Sequence, residues 1–426
     1  MRLFALAASV FCVLSAAEID AADNKPNFIV FLADDEGYGE LGCQGNEQIP
    51  TPNIDSIAAN GIRFTNGYVS GPYCSPTRAG LMTGRYQTRF GHEWNPPRNE
   101  TAGLPTTETT FADRMKELGY ATTCVGKWHL GTAEKFRPTQ RGFDEFYGTL
   151  GNTPFFKPRL WMDTRQSDEV VDVLDKPDFY TTDAYAARAV DWIERNKDEP
   201  YFLYLPFNAQ HAPLQAAQKY LDRFPNITDK KRRTFAAMLS AQDDAVGAVL
   251  DKVRDLGQEE NTLIFYLADN GGPTQSTTSK NDPLRGSKAT TLEGGVRVPF
   301  MVQWKGTIPA GQVYEKPVIQ LDILPTVVTA AGGTVEPEWK LDGVDLLPYL
   351  TGKNDGSPHE TFYWRFGEQM AIRHGGWKLV ASRPDMLEKK LFNLAEDVGE
   401  ANDLTAEHPE KVQELQAMWD AWNAEQ

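Results

Sequence analysis

The chain has 426 residues, of which 41% are hydrophobic and 24% are charged. This composition is typical of a globular protein and excludes a disordered or fibrous chain. Its 43 Lys and Arg against 59 Asp and Glu give a formal charge of −16. We therefore expect no nucleic-acid partner, while a local basic pocket for a small anion stays open. The four cysteines are too few for a disulfide-built scaffold.

Residues 1–17 have the pattern of a secretory signal peptide. Arg2 precedes an apolar run that ends in small residues, and the pattern places a cleavage site after Ala17. The alternative is a membrane anchor, but the run is shorter than the roughly 20 residues that a transmembrane helix needs. We expect an exported protein, periplasmic or extracellular, with no membrane span.

Strands alternate with helices over most of the chain. Apolar runs predict buried strands at 27–33, 120–126, 201–207 and 262–268, and capped or amphipathic segments predict helices at 51–61, 108–119, 182–196 and 233–257. This alternation predicts an α/β fold with a large mixed, mostly parallel sheet flanked by helices on both faces. The polar, poorly periodic stretch 152–180 is expected to be a surface loop near the substrate.

The pattern changes after about residue 350. Short alternating segments between 360 and 396, followed by a helical pattern at 409–425, predict a smaller C-terminal antiparallel sheet plus helix. We expect a signal peptide at 1–17, a main α/β domain at 24–350 and a C-terminal subdomain at 351–426.

Two of the predicted strands end in similar polar pairs. Asp34 and Asp35 follow the first strand, and Asp269 and Asn270 follow a later one. In an open α/β sheet, ligands bind beyond the carboxyl ends of the strands. Three carboxylates and an amide oxygen suit Ca²⁺ or Mg²⁺ rather than zinc. The alternative is that these residues cap helices or lie in solvated turns.

A glycine motif lies beside the first pair. Gly37, Gly39 and Gly42 satisfy the G-x-G-x-x-G pattern after a strand, which makes a dinucleotide-binding enzyme the alternative interpretation. The segment after these glycines reads as a loop, where that motif requires the start of a helix. The carboxylates just before them would also repel a pyrophosphate.

The segment Cys74–Arg85 reads C-S-P-T-R-A-G-L-M-T-G-R. It resembles the signature of the formylglycine-dependent (type I) sulfatases, in the alkaline-phosphatase-like superfamily. The resemblance also covers FLADDEGYGELGCQGN, GKWHLG, LADNGG and GSKATTLEGGVRVP, and it extends in order along nearly the whole mature chain.

This resemblance implies a sulfuric ester hydrolase that releases sulfate from a sulfated carbohydrate or an aryl sulfate. It implies that a formylglycine-generating enzyme oxidises Cys74 during export, and that one Ca²⁺ per chain, with Mg²⁺ less favoured, is bound by Asp34, Asp35, Asp269, Asn270 and the modified Cys74. A hydrated aldehyde offers one hydroxyl to attack sulfur and a second whose deprotonation expels sulfate. A phosphate or phosphonate ester hydrolase of the same superfamily is the alternative.

The resemblance also assigns the supporting roles. Arg78 stabilises the diol, and Lys127 and Lys288 bind the sulfate oxygens. His129 assists the breakdown of the sulfated intermediate, and His211 protonates the leaving oxygen as a general acid. Taken singly, each lysine could be a solvated surface charge and each histidine a hydrogen-bonded core residue.

Two smaller questions stay open in the sequence. A serine that contacts the sulfate in this family is not evident near 148–151, and Thr149 or Asn152 could replace it. Cys43 and Cys124 are expected to be free thiols, although export makes a disulfide possible.

The organic part of the substrate is the hardest to predict. Aromatic and basic loop residues favour a sulfated polysaccharide over a small aryl sulfate, since flat rings stack on sugars. The candidates for substrate contact are His92, Trp94, Arg159 and Trp161, with Asn95, Phe156, Lys157 and Arg365 as further possibilities.

Overall fold

The computed structural model describes residues 25–164, 168–171, 176 and 178–426. The expected signal peptide lies outside the described residues. Among the residues that are described, no helix combines the length and hydrophobicity that a transmembrane span requires. Cys43, Cys74 and Cys124 are all free in this part of the chain, as the sequence predicts for Cys43 and Cys124.

The strands and helices alternate through the first three quarters of the chain, and strands dominate the last quarter. The strands are β1 Asn27–Ala33, β2 Ile62–Phe64, β3 Gly67–Tyr68, β4 Ala121–Lys127, β5 Glu145–Thr149, β6 Leu160–Thr164, β7 Asp168–Val171, β8 Tyr201–Pro206, β9 Thr262–Ala268, β10 Phe300–Gln303, β11 Gln312–Tyr314, β12 Val318–Ile319, β13 Thr361–Phe366, β14 Gln369–His374, β15 Trp377–Ala381 and β16 Lys389–Asn393. The α-helices are α1 Pro52–Ala59, α2 Cys74–Thr83, α3 Phe111–Glu117, α4 Thr181–Arg195, α5 Gln218–Leu221, α6 Lys230–Asp255, α7 Thr274–Thr277, α8 Glu293–Val296, α9 Ile323–Ala330, α10 Leu347–Leu350 and α11 Pro409–Asn423.

The main sheet has the strand order β11-β2-β10-β9-β1-β8-β4-β5-β6-β7 among the described residues. Its centre, from β9 to β5, is parallel. Antiparallel pairs join β10 to β9 and to β2 on one side, and β6 to β5 and to β7 on the other. The predicted mixed, mostly parallel sheet is therefore confirmed.

The central strands are apolar on both faces because both faces are covered. Every residue of β1, β8 and β9 is buried, which is the pattern of parallel strands enclosed by helices. One group of helices, α1, α4, α5 and α6, packs together, and a second group, α2, α3 and α9, packs separately. These two groups flank the sheet as predicted.

The prediction of a surface loop over 152–180 is wrong in part. Strands β6 and β7 lie in this stretch and extend the sheet beyond β5. Pairing at an open edge is made by backbone hydrogen bonds, so an edge strand can form without the alternating apolar pattern that marks a half-buried one.

The C-terminal sheet is antiparallel, in the order β13-β14-β15-β16, and α11 packs on β14 and β15. It is joined to the main body by buried polar contacts. The indole of Trp364 donates to the carbonyl of Val69 at 2.8 Å. The ammonium of Lys378 lies 2.8 Å from Glu293 and 3.0 Å from Glu400, and all three side chains are fully buried.

Candidate active site

The ends of two neighbouring strands bring four oxygen-bearing side chains together. Strands β1 and β9 pair in parallel with Ala33 opposite Ala268, so the residues that follow them lie side by side. The amide of Asp35 donates to Oδ1 of Asp269 at 3.2 Å, and Nδ2 of Asn270 donates to Oδ1 of Asp35 at 2.8 Å. All four side chains are almost completely buried.

The backbone fixes where these carboxylates lie. The carbonyl of Asp34 accepts from the amide of Gln210 at 2.7 Å, and its own amide donates to the carbonyl of Ala209 at 2.9 Å. Asp35 has φ of 66°, a left-handed conformation that is uncommon for a non-glycine residue and is often found at functional sites. The turn after β1 is therefore held in one geometry.

Cys74 is the first residue of α2, and the helix places its sulfur against the two aspartates. Its Sγ lies 3.4 Å from Oδ1 of Asp34 and 4.0 Å from Oδ1 of Asp35. All ten residues of α2 are buried, and the helix ends at Gly84 in a left-handed conformation with φ of 66°. The positive end of the helix dipole lies at Cys74, which favours a bound anion there.

Arg78 lies one turn further along α2. Its Nε and Nη2 donate to the same oxygen, Oδ2 of Asp269, at 3.0 and 2.8 Å, and its Nη1 donates to the carbonyl of Lys127 at 2.6 Å. The guanidinium is completely buried. It thus ties the helix of Cys74 to the ends of β9 and β4.

Two lysines contact the aspartates from opposite sides. Lys127, the last residue of β4, contacts Asp34, and both side chains are fully buried. The ammonium of Lys288 lies 2.5 Å from Asp35 and 3.1 Å from Sγ of Cys74. Burial alone would raise the pKa values of Asp34 and Asp35, but Lys127 and Lys288, together with His211, outweigh it and lower both. Both carboxyls are therefore ionised near neutral pH.

Two histidines border this cluster. Nε2 of His211 lies 3.7 Å from Oδ2 of Asp35, and its Nδ1 lies 2.5 Å from the carbonyl of Ala212. His129 has φ of 62° and is buried, and its Nδ1 has no hydrogen-bond partner among the described residues. Burial, followed by Lys127 and Arg78, lowers the pKa of His129 well below its usual range, so its imidazole is neutral.

The oxygen set fits a hard divalent cation. Single ligand atoms of Asp34, Asp35, Cys74 and His211 lie within 4.8 Å of one another, although the sequence predicts His211 as an acid rather than a ligand. The buried Oδ1 of Asn270 has no partner among the described residues. A buried amide oxygen without a donor, beside ionised carboxylates, fits the oxygen ligands that Ca²⁺ prefers.

The sulfur of Cys74 has the wrong protonation state for a thiolate nucleophile. Burial, together with Asp269, raises the pKa of this thiol far above its usual range. A thiol needs a lowered pKa to react at moderate pH. Cys74 lies at the centre of the cluster, but its surroundings do not activate the thiol as a nucleophile.

The predicted substrate residues lie in two separate places. Trp94, which is 49% exposed, stacks on Phe366 with ring centroids 4.3 Å apart, and Phe366 in turn packs on Tyr73 at 5.4 Å. Arg159 lies over the ring of Trp161 at 4.8 Å, next to the end of β5.

Two of the predicted substrate contacts are better explained as structural. His92 is buried, with Nε2 2.7 Å from Oγ of Ser75, and burial lowers its pKa to about 4. Arg365 donates two hydrogen bonds to the carboxylate of Glu93 at 2.9 and 2.8 Å. Both side chains position the loop that carries Trp94.

Sequence reasoning missed the residue next to Cys74. Oγ of Ser75 donates to the carbonyl of His129 at 2.6 Å, and its amide donates to Oδ1 of Asn95 at 3.0 Å. Ser75 thereby joins helix α2 to the loop of Trp94 and to His129. The position of Ser75 inside the C-S-P-T-R segment is the sequence feature that could have indicated this role.

Thr149 and Asn152 are the two residues predicted to replace the sulfate-contacting serine of the family, and they lie in different surroundings. Thr149 is buried opposite Lys127 in the pairing of β4 and β5, and its Oγ1 accepts from Asn208 at 3.4 Å. Asn152 is exposed, and its carbonyl accepts from Arg98 at 2.7 Å. Neither contacts Cys74 in the structure.

The glycine motif does not form a dinucleotide site. Gly42 begins a short 3-10 turn rather than an α-helix. A Cβ on Gly37 would lie 2.1 Å from the carbonyl oxygen of Lys280. Glycine is therefore required at this position because the backbone of Lys280 packs directly against it. The dinucleotide interpretation is wrong.

Comparisons with known proteins agree with this geometry. The model of the Sulfatase family matches residues 26–333, and the model described as N-sulphoglucosamine sulphohydrolase, C-terminal, matches 287–423. The chain belongs to the sulfatase family. This sulfatase is 34% identical over 394 residues to the N-acetylgalactosamine-6-sulfatase of Canis lupus familiaris, covering 86% of the chain and 74% of that relative. The human N-acetylgalactosamine-6-sulfatase is 34% identical over 383 residues, with 84% and 72% covered.

Solved structures give the same result. The structure of Ps i-CgsB in complex with k-i-k-neocarrahexaose superposes with a TM-score of 0.87 at 34% identity, covering 94% of this chain and 93% of that one. The PsFucS1 sulfatase from Pseudoalteromonas sp. has a TM-score of 0.84 at 28% identity, covering 94% and 90%. The recognised family and fold are confirmed, and the protein is a sulfuric ester hydrolase.

Proposed function

We propose that this sulfatase releases inorganic sulfate from a sulfated carbohydrate, with Cys74 converted to formylglycine as the nucleophile and Ca²⁺ bound by Asp34, Asp35, Asp269 and Asn270. The observation that carries the proposal is the position of Cys74. Its sulfur lies within 4.0 Å of Asp34, Asp35 and Lys288, at the first residue of α2. This position at the centre of the charged cluster, within the segment that resembles the family signature, supports the modification.

With the modification and the ion present, the site would hold a hydrated aldehyde whose one hydroxyl is activated for attack on sulfur and whose other allows sulfate to leave. Conversion would be made by a formylglycine-generating enzyme acting on the segment Cys74–Arg78 before folding, since Cys74 is completely buried in the folded chain. This order fits an exported protein, which we also propose.

The basic side chains of the site bind the sulfate group. Lys288 reaches both Cys74 and Asp35, and Lys127 contacts Asp34 from the end of β4. Two fixed ammonium groups beside the helix dipole of α2 stabilise the negative charge that develops on the sulfate oxygens. Arg78 positions Asp269 and the helix rather than reaching outward, because its three donor nitrogens are already engaged.

The two histidines take different tasks. His211 is the general acid, since its imidazole is partly exposed and its Nε2 faces Asp35. A histidine at this place can donate a proton to the leaving alcohol. Nδ1 of the neutral His129 has no hydrogen-bond partner in the described part of the chain, so this nitrogen can accept a proton during the second half of the reaction.

Carbohydrate is the favoured substrate class. The similar proteins include N-acetylgalactosamine-6-sulfatases and a structure bound to k-i-k-neocarrahexaose. In this chain the exposed ring of Trp94, backed by Phe366, is a flat apolar face beside the site, which suits the face of a sugar ring. The phosphonate alternative has weaker support, since the phosphonate monoester hydrolase of Agrobacterium radiobacter is only 19% identical and is alike in fold alone.

We further propose that 24–350 is the catalytic domain and 351–426 a subdomain that completes it. Phe366 comes from the C-terminal sheet and Trp94 from the main body, and their rings meet beside the site. The subdomain would then form one wall of the substrate site.

The test combines mass spectrometry with sulfate release. The tryptic peptide that contains Cys74 is weighed to measure conversion to formylglycine, and converted protein is assayed on sulfated oligosaccharides, aryl sulfates and phosphate or phosphonate esters. We expect sulfate release that increases with the converted fraction and is greatest on carbohydrates. Turnover by wholly unconverted protein, or faster turnover of phosphonates, would contradict the proposal.

A further inference from the structure

The backbone segment that carries Lys288 needs support from outside itself. Residues 285–290 form neither a helix nor a strand and lie between α7 and α8. The ammonium of Lys288 is nevertheless held 2.5 Å from Asp35 and 3.1 Å from Sγ of Cys74. Because the four-carbon stem of a lysine is flexible, the position of the ammonium depends on how firmly the backbone beneath it is fixed.

The next residue, Ala289, is fixed at both of its backbone polar groups. Its φ of 66° is left-handed, which is uncommon for a residue other than glycine and persists only where the surroundings hold it. Its amide donates to the carbonyl of Pro72 at 2.9 Å, close to Cys74 in the chain. Its carbonyl accepts from Nε2 of Gln369 at 2.9 Å. One of the two bonds therefore comes from the main body and the other from the C-terminal sheet.

Gln369 is held so that its side-chain NH₂ group faces Ala289. It is the first residue of β14 and is 1% exposed. Its Oε1 accepts from Oγ of Ser382 at 2.7 Å and from the backbone amide of Arg383 at 3.2 Å. Since a backbone amide can only donate, the oxygen of the Gln369 side chain must lie on that side and the nitrogen on the other. The bond to Ala289 is thus made by an oriented, buried donor.

The C-terminal subdomain also contacts the other side of the segment. Nη1 and Nη2 of Arg285 donate to the two carboxylate oxygens of Asp385 at 3.0 and 2.5 Å. Asp385 lies in the connection between β15 and β16, three residues after Ser382. The side chain of Arg285 is 33% exposed, so solvent weakens this ion pair. The buried contact of Gln369 is therefore the stronger restraint.

We infer that Gln369 is a positioning residue for Lys288. By fixing the carbonyl of Ala289, it keeps the lysine ammonium at the place where the sulfate group binds. The inference rests on the proposed function, which assigns Lys288 to sulfate binding. It gives the C-terminal subdomain a part in the reaction centre itself, through the backbone of segment 285–290.

The experiment measures sulfate binding without turnover, in a Cys74→Ala background with Ca²⁺ present. Gln369→Met keeps the length of the side chain but has no N–H to donate. Isothermal titration calorimetry with inorganic sulfate should show binding weakened about tenfold, the scale of one misplaced charge-assisted contact. Gln413→Met, at an exposed position of α11, is the matched control and should leave the affinity unchanged.

A double-mutant cycle with Lys288→Ala then tests the cause. If Gln369 acts through the lysine, Gln369→Met should weaken sulfate binding less than about twofold once Lys288 is alanine, because the two changes are not additive. A residue that only stabilises the fold would produce the same loss in both backgrounds. Melting temperatures of all variants show how far stability changes alongside.

Ser382→Ala provides a second, milder substitution and decides the test if Gln369→Met does not fold. It removes one donor to Oε1 and leaves Gln369 in place, so sulfate binding should weaken about threefold, and only while Lys288 is present. Equal losses with and without Lys288, or no loss at all, overturn the inference, as does a lack of sulfate binding. Failure of the proposed function is visible separately, as a converted wild-type protein that releases no sulfate.

Discussion

Arg78 donates two hydrogen bonds to a single carboxylate oxygen of Asp269, with Nε at 3.0 Å and Nη2 at 2.8 Å from Oδ2. The other carboxylate oxygen, Oδ1, is left to face the turn after β1, where it accepts from the amide of Asp35. The pair is completely buried. One ion pair thus orients a carboxylate and anchors the helix that begins at Cys74.

Removing the charge of Asp269 should therefore destabilise the protein. In Asp269→Asn the guanidinium of Arg78 loses its main counter-charge inside the core, and the free energy of unfolding should fall by about 3–5 kcal/mol. Urea unfolding in the presence of a chelator measures it. Asp251→Asn, which removes an exposed partner of Arg254, is the control and should change stability by less than about 1 kcal/mol. Equal effects of the two substitutions would contradict the prediction.

Substituting Cys74 should stop the reaction without unfolding the protein. Cys74→Ala should abolish sulfate release and leave the melting temperature within a few degrees of the wild type, because only one buried sulfur is lost. Cys74→Ser should at most react once, since a single hydroxyl cannot expel the bound sulfate. Sulfate release and mass spectrometry of the protein after incubation with substrate check both. Multiple turnovers by either variant would be incompatible with formylglycine chemistry.

Calcium should bind at the strand ends and stabilise the fold. Chelation followed by dialysis should lower both the melting temperature and the activity, and Ca²⁺ should restore both, with Mg²⁺ less effective. Asn270→Leu removes Oδ1, which no described residue contacts by a hydrogen bond, and should weaken the rise in melting temperature that Ca²⁺ produces. A melting temperature that Ca²⁺ leaves unchanged in metal-free wild type would argue against the ion.

His211→Ala should be most harmful for substrates with basic leaving groups. The loss from removing a general acid is typically about 10²–10⁴-fold, and here it should shrink as the pKa of the leaving alcohol falls. The measurement is kcat/KM for aryl sulfates of graded leaving-group pKa, where the enzyme accepts them, beside a melting curve. If His211 were only structural, His211→Ala would lower kcat/KM by a similar factor for every substrate and would also lower the melting temperature.

Stability should depend on pH through the buried cluster at Lys378. Burial, partly offset by Lys378, raises the pKa of Glu400 from 4.5 to about 7. The unfolded chain releases this proton first, so the free energy of unfolding falls as the pH rises from about 4.5 to about 7. Burial also acts on Glu293, but Lys378 and the nearby arginines outweigh it and lower its pKa to about 2, so Glu293 adds no slope there.

Glu400→Gln should remove the part of that slope that Glu400 contributes and leave the part from Glu36, whose pKa is raised by burial to about 8. Relative to the wild type, the variant should be more stable at pH 8 than at pH 5, as measured by urea unfolding at intervals between these values. Glu47→Gln, at an exposed position, is the control and should show the wild-type profile. A constant difference between Glu400→Gln and wild type across the range would show that Glu400 does not change its protonation there.

Much of the fold was predictable because its central strands are uniformly apolar. The predicted bounds of β1 and β9 agree with the structure, because a continuous apolar run flanked by polar residues marks where the strand begins and ends. Strands β6 and β7 were missed because they add to an edge whose pairing is made by the backbone. The order of strands and the packing of the C-terminal sheet depend on contacts distant in sequence, such as that of Trp364 with Val69.

The site was predictable where a motif carried it and not elsewhere. Cys74 and the strand-end carboxylates were named from local patterns, and the structure brings them together. The contacts of Ser75 with His129 and Asn95 were not predictable, because no spacing in the sequence relates these residues to one another. The role of His92 in substrate contact stays a prediction. The fold buries His92 against Ser75, which its position after a helix in the sequence does not reveal.

The in-register pairing of β1 with β9 determines which segments of this chain can change in length and which cannot. Each strand has seven residues, paired from Asn27 with Thr262 to Ala33 with Ala268. Deleting one residue from either strand would shift its end by about 3.3 Å and turn every side chain beyond it to the opposite face. The loops around Trp94 and Arg159 are under no such restriction. Changes of length should therefore accumulate in these loops, while the two strands keep their residue count.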